Sequence, residues 1–283
     1  MHGFINVLKP TGCTSAAIVG MVKRTLKVKS VGHMGTLDPY GTGVLPIAIG
    51  KSAKLFNLIS EKHKTYRAIF SFGWRTDTID SEGVTIFEGG LIPTENDITE
   101  KLTGFLGDIM QVPPMYSAIK IDGKRAYDLA RAGKEFEISA RKVHIYDFKL
   151  LEKISEKSYL FEIVCSTGTY IRSLCYDLAT SLGTFAVMTA IIRTKSGLFD
   201  IQNSVTLEKL KNGKFEIIPT EDMLQNLISV PVTNEEMVKL VNGMILNCKI
   251  IGINHVKIMC NNKFAGLGEL TCGKLKLKIN FLQ

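Results

Sequence analysis

The chain has 283 residues, 45% of them hydrophobic, with a formal net charge of +8 at pH 7, so one large domain plus a small one is expected, with a sizeable core and an anionic partner such as nucleic acid. Its six cysteines form no C-x-x-C pair, no apolar run is long enough to cross a bilayer, and the first residues lack the pattern of a secretory signal. No zinc site, membrane span or secretory signal is therefore expected, and a cytoplasmic protein with reduced thiols is.

In chain order, Phe4 to Leu8 reads as a short strand and Lys9-Pro10-Thr11-Gly12 as a turn. Thr14 or Ser15 caps a helix whose apolar face holds Ile18, Val19, Val22 and Leu26. Lys23, Arg24, Lys27 and Lys29 crowd its end, either complementing the helix C-terminus or forming a phosphate-contacting edge. From Val31 the chain reads V-G-H-M-G-T-L-D-P-Y-G-T-G-V-L-P, in which glycines surround a single carboxylate, Asp38. Glycine admits close backbone approaches, and Pro39 biases Asp38 toward an extended conformation. The aspartate is thus presented stiffly at the tip of a loop that also holds His33. Judged alone, such a stretch is more often a plain turn than a catalytic loop.

The apolar run Val44 to Ile49 reads as a buried strand. Gly50-Lys51-Ser52 looks like the end of a phosphate-binding loop, but that motif needs glycine where Leu45 stands. Ser52 instead opens a helix through Leu55, Leu58 and Ile59. Lys64 to Trp74 is strand-like, with Tyr66, Ala68, Phe70 and Phe72 on one face. The charged loop Arg75 to Gly83 offers Asp77 and Asp80 for cytosine amino groups or for a structural ion pair. Thr94 with Asp97 forms a capping box opening a helix to about Leu106. Asp122-Gly123 signals a hairpin, with Lys120, Lys124, Arg125 and Arg131 interleaved with Tyr116 and Tyr127. A helix carrying Leu129 and Ala130 ends at Gly133.

Two long strands follow, Phe136 to Ile154 and Tyr159 to Ser166, then a helix from Tyr170 to Leu182 ended by Gly183. Arg172 in its first turn opposes the helix dipole, which favours a specific carboxylate partner. Ala186 to Arg193 is a further apolar segment. After Asn226 the texture changes to a helix from Asn234 to Val241 and short strands at Ile250 to Ile253, Val256 to Cys260, Phe264 to Leu270 and Leu275 to Phe281. Lys274, Lys276 and Lys278 alternate with apolar residues, as on an edge strand with a basic face. The expected division is residues 1–228 and a small β-rich module, 229–283, that leans on them.

Ordered blocks of this sequence resemble bacterial tRNA pseudouridine synthases of the TruB type. They are L-K-P-T-G-C-T-S from Leu8, G-H-M-G-T-L-D-P-Y-G-T-G-V-L-P from Gly32, K-T-Y-R from Lys64, R-T-D-T-I-D-S-E-G from Arg75, P-M-Y-S-A-I-K from Pro114 and G-T-Y-I-R from Gly168. The resemblance implies an α+β fold, a mixed and mainly antiparallel sheet flanked by helices, with a shortened PUA-type RNA-binding tail. It implies isomerisation of the T-loop uridine conventionally numbered 55 in tRNA, on a flipped-out nucleotide. Asp38 is then the catalytic carboxylate and Arg172 its partner. Tyr66 packs on the base, Tyr170 contacts the nucleotide and His33 fills the space the base leaves. Ile191 lines the uracil pocket, where leucine is usual, and Asp80 joins the substrate-binding set. Met34 and Tyr40-Gly41 depart from the common pattern in ways that bear on loop packing. No cofactor is needed for an isomerisation. A monomer acting on the tRNA T-arm, with no obligate protein partner and no membrane, is expected. Two rivals stay open: an RNA chaperone without turnover, and a glycoside hydrolase using Asp80 as a second carboxyl.

Overall fold

The structure, a computed structural model, describes residues 1–282 apart from 57, 60–62, 118, 122, 127–128 and 130–135. Its strands in chain order are β1 Gly3–Lys9, β2 Val31–His33, β3 Thr42–Ile49, β4 Lys64–Phe72, β5 Trp74–Thr76, β6 Thr85–Glu88, β7 Gly107–Gln111, β8 Lys120–Ile121, β9 Lys124–Arg125, β10 Arg141–Lys153, β11 Ser158–Cys165, β12 Ala186–Ser196, β13 Phe199–Asp200, β14 Ser229–Val232, β15 Leu246–Asn247, β16 His255–Cys260, β17 Lys263–Thr271 and β18 Lys274–Asn280. Among the described residues the main sheet runs β1-β3-β12-β4-β11-β10-β7, with β2 alongside β3 and β13 alongside β12.

Neighbours in this sheet are antiparallel except at one seam. There β12 runs parallel to β3 and pairs only through Ile192 with Thr42 and Arg193 with Gly43. Gly43 makes the close approach achievable: its φ is +106°, and a Cβ there would stand 2.2 Å from the Arg193 carbonyl oxygen. The Asp38 loop joins β2 to β3 and so arrives at this seam.

The alternating pattern of β4 is realised as read, with Tyr66, Ala68, Phe70 and Phe72 buried. They pack with Phe161 and Ile163 of β11 and with Ile171, Leu174 and Leu178 of the helix Ile171–Ser181. The helix Glu95–Leu102 closes the same layer through Ile98 and Leu102 and carries the expected capping box. On the other half, the helix Ser15–Leu26, capped by Thr14, sets Ile18 and Val22 against Ile5, Val7, Leu45 and Ile47. The tail forms a five-stranded sheet, β14-β16-β17-β18-β15, under the helix Asn234–Val241.

Four expectations are corrected. Ser52 does not open an α-helix: Gly50–Leu55 is a 3₁₀ turn, and the Ser52 hydroxyl is bonded to that of Thr220 at 2.7 Å instead of capping a helix. The strand expected from Lys64 to Trp74 breaks at Gly73, whose φ is +86°. Phe136 to Ala140 lies outside β10, which begins at Arg141, where pairing with Gln111 of β7 begins. Ile250 to Ile253 is not a strand, because Gly252 turns the chain with φ +82°, and β14 and β15 supply pairing instead. The hairpin around Gly123 is present as β8 paired with β9. Asp122, Tyr127 and Arg131, and the helix expected to carry Ala130 and end at Gly133, lie outside the described residues.

Candidate active site

Asp38 sits at the edge of a cleft of about 300 Å³ lined also by Leu37, Lys64, Tyr66, Tyr170, Arg172, Met188 and Ile191. Its carboxylate remains 40% exposed while its Oδ2 receives Nη2 of Arg172 at 2.9 Å, from a guanidinium only 5% exposed. A buried cation thus faces a carboxylate open to the cleft, so one oxygen of the acid is held in place while the side chain stays within reach of a ligand.

Arg172 is fixed on every side. Its Nη1 pairs with Asp80 Oδ2 at 3.2 Å and donates to the Thr78 carbonyl, while Nη2 donates to the Tyr116 carbonyl. Burial opposes its charge, but Asp38, Tyr40 and Asp80 outweigh burial and raise its pKa. Asp80 is itself buried; burial pushes its carboxyl up, against the Thr78 hydroxyl, Arg172 and the Glu82 amide. Asp80 thus forms a buried ion pair with Arg172, one of the two roles its loop offered, and it is not among the residues lining the cleft, where a hydrolase's second carboxyl would stand.

Tyr66 is 6% exposed, and burial pushes its hydroxyl up to about 12, with Arg193 lying beside it. Tyr170 is the N-cap of the helix Ile171–Ser181, and its backbone is clamped by Gln111, which accepts from its N–H at 2.8 Å and donates to its carbonyl at 3.1 Å. Ile191 pairs with Ala68 across β12 and β4 and contributes to the cleft wall. His33 closes β2 beside this loop. Its Nδ1 is buried without a hydrogen-bond partner among the described residues, and burial, then Arg193 and Lys64, lower its pKa, so its ring is neutral near pH 7.

Two organising residues escaped the sequence reading. Lys9 is fully buried, and its ammonium donates to the carbonyls of Pro10, Pro39 and Gly41 at 3.0, 3.0 and 2.6 Å. Arg193 is equally buried and donates to the carbonyls of Val44, Thr36 and Gly35. Between them these cations hold both flanks of Asp38. For Arg193 the available signal was a basic residue within an apolar strand, which a solvated charge does not explain. Among the described residues no group of His, Cys, Asp and Glu is arranged to hold a metal ion.

Residues 23–171 match the model of the TruB family pseudouridylate synthase N-terminal domain, and residues 172–234 match that of the tRNA pseudouridylate synthase B C-terminal domain. The tRNA pseudouridine synthase B of Clostridium tetani is 41% identical over 279 residues, 96% of each chain. That of Clostridium acetobutylicum is 42% identical with the same coverage. A solved H/ACA RNP bound to a substrate RNA containing 2′-deoxyuridine superposes with a TM-score of 0.70 at 24% identity, over 99% of this chain and 85% of the other, a likeness of fold. A Cbf5-Nop10-Gar1 complex gives 0.69 at 25% identity, over 98% and 84%. With both family models in tandem and two-fifths identity across nearly its whole length, the chain belongs to the TruB family of pseudouridylate synthases.

Proposed function

We propose that this enzyme isomerises the T-loop uridine at position 55 of tRNA, with Asp38 as the catalytic carboxylate acting on a flipped-out nucleotide. The observation that carries the reading is the exposed Asp38 carboxylate held at 2.9 Å by a buried guanidinium at the rim of a base-sized cleft. The reaction breaks the N1–C1′ bond, turns the uracil and joins C5 to C1′. An ionised carboxylate serves it either as nucleophile at C1′ or as base on the sugar.

Flipping the uridine out of its stack costs on the order of a few kcal/mol. The neutral ring of His33 suits the vacated gap, since a charged imidazolium would resist leaving water. Tyr66 packs on the extruded uracil and assists removal of the C5 proton, with Ile191 completing the pocket. Tyr170, which lines the same cleft, contacts the nucleotide. Asp80 acts through Arg172. Lysines and arginines supply phosphate contacts, so affinity falls with salt. Residues 1–228 form the catalytic domain and 229–283 a PUA-like RNA-binding module, acting as a monomer in the cytoplasm.

The test is incubation with an unmodified tRNA transcript and mapping of pseudouridine by carbodiimide-stop sequencing. The wild-type enzyme gives one stop in the T-loop, and Asp38→Asn gives none above background while still binding the transcript. A wild-type stop elsewhere only, or turnover by Asp38→Asn, overturns the assignment.

A further inference from the structure

We propose that Lys64 donates a hydrogen bond to a carbonyl oxygen of the target uracil and bears the negative charge that the base acquires as it leaves the ribose. The inference rests on reading the cleft as a uridine-isomerising site.

Lys64 opens β4, two residues before Tyr66 on the same strand face, and lines the same cleft as Asp38 and Arg172. Its head lies against Gly35, where a Cβ would stand 2.7 Å from Nζ, so the glycine makes room for the ammonium. The neighbouring cations are committed elsewhere. Arg172 is bonded to Asp38, Asp80 and the carbonyls of Thr78 and Tyr116, and Arg193 to the carbonyls of Gly35 and Thr36 in the Asp38 loop and of Val44 in β3. Among the described residues the groups acting on Lys64 are Arg193 and Cys165, with no carboxylate between them, and burial followed by Arg193 lowers its pKa to about 8. A desolvated cation facing another cation is stabilised by an anion arriving in the cleft.

The chemistry supplies that anion. When N1–C1′ breaks, the electron pair leaves with the uracil and spreads over N1, O2 and O4. The deficit at C1′ is met by Asp38, or by the electron pair freed as Asp38 takes the 2′ proton. C5 then forms the bond to C1′, reversing whichever step occurred, and the proton lost from C5 is balanced by one gained at N1, so atoms and charge balance with Lys64 unchanged. A base is favoured over a phosphate as the ligand because Leu37, Met188 and Ile191 make that wall apolar and Tyr66 adds an aromatic face.

The experiment compares the full-length wild-type enzyme with Lys64→Met and Lys64→Arg on an unmodified T-arm hairpin. Single-turnover rate at saturating enzyme, hairpin Kd and the pH profile of kcat/KM are measured. Lys64→Met is expected to lower the single-turnover rate about 100-fold, as loss of one charge-stabilising donor does, with Kd little changed, and Lys64→Arg to recover most of the loss. Wild-type kcat/KM falls above pH 8 as the lysine loses its proton, and the fall moves upward in Lys64→Arg. The other titratable groups around Lys64 lie elsewhere: Cys165 near 11, Tyr66 near 12 and His33 below 6.5.

Weaker hairpin binding with an unchanged single-turnover rate would assign Lys64 to a phosphate and overturn the proposal. Equal losses in both variants together with lowered melting temperatures would assign it to folding and overturn it too. Should Lys64→Met not fold, the wild-type limb and its displacement in Lys64→Arg decide alone. A wild-type enzyme that forms no pseudouridine would instead remove the underlying reading of the site.

Discussion

At the scale of single residues, the position of Asp38 is set by cations that never meet solvent. Lys9 and Arg193 each satisfy three backbone carbonyls around the loop, so the carboxylate is held by groups binding main chain on either side of it. Such support makes geometry insensitive to sequence at the loop's own exposed positions and sensitive at the buried ones. For Lys9→Met two effects compete. Removing a buried charge relieves its desolvation, visible in its lowered pKa. It also strands the buried carbonyl of Gly41, at about 1–3 kcal/mol for a buried unsatisfied group, and the part-buried carbonyls of Pro10 and Pro39 at less. Three orphaned acceptors outweigh one relieved cation. The expected result is a loss of about 1–3 kcal/mol in urea unfolding, and a turnover loss that exceeds any change in tRNA affinity, because Asp38 is displaced while the phosphate-binding surface is not. The sequence showed Lys9 only as the first residue of a turn: nothing local distinguishes a lysine that solvates a bend from one aimed inward at carbonyls brought from 30 residues away.

At the scale of elements, legibility followed the range of the cause. The Thr94–Asp97 box, the alternation of β4 and the cost of an arginine in the first turn of the helix Ile171–Ser181 are local, and all were readable; the last favoured one carboxylate partner without requiring it, and the structure supplies two. Ser52 failed because its hydroxyl answers to Thr220, 168 residues away, and Ile250 to Ile253 failed because apolar spacing was read without the left-handed Gly252. The same helix carries an unread liability. Burial raises Asp177 to about 6, from an ordinary value near 3.8. Between those values the native state holds a proton that the unfolded chain has released, so stability contributed by this group falls as pH rises through 6. Asp177→Asn, neutral and nearly isosteric, should therefore stabilise the protein at pH 7.5 by about 1–3 kcal/mol. The gain should shrink toward pH 5, where the native carboxyl is protonated. Melting temperatures of the two proteins at both pH values check this, and a gain that grows on acidification would contradict the sign.

At the scale of the whole molecule, the tail is part of the core and not an appendage. Leu267 and Ile279 are buried in one cluster with Phe4, Val44, Leu55 and Met223, and Phe264 and Phe281 pack against it. Lys51 donates to the Asn280 carbonyl at 2.7 Å, and the His2 ring meets Phe281 edge-on at 5.4 Å. A module of about fifty residues lies below the size at which a core stands comfortably alone, so this shared cluster stabilises both parts. If the tail served RNA binding alone, deleting residues 229–283 would weaken tRNA affinity and leave folding intact. The packing requires more: the deletion uncovers Phe4 and Leu55, both fully buried in the intact chain. The truncated protein should melt well below the full-length enzyme and bind a hydrophobic dye such as ANS before melting. Ile279→Ala offers a gentler check, since it removes buried apolar volume from the cluster without touching the exposed lysine face of β18. A buried Ile→Ala change costs about 2–5 kcal/mol. Here that loss should appear in the melting of the whole chain as one transition, with tRNA affinity measured below the transition nearly unchanged. A separate early transition confined to the tail would show that the two parts fold independently.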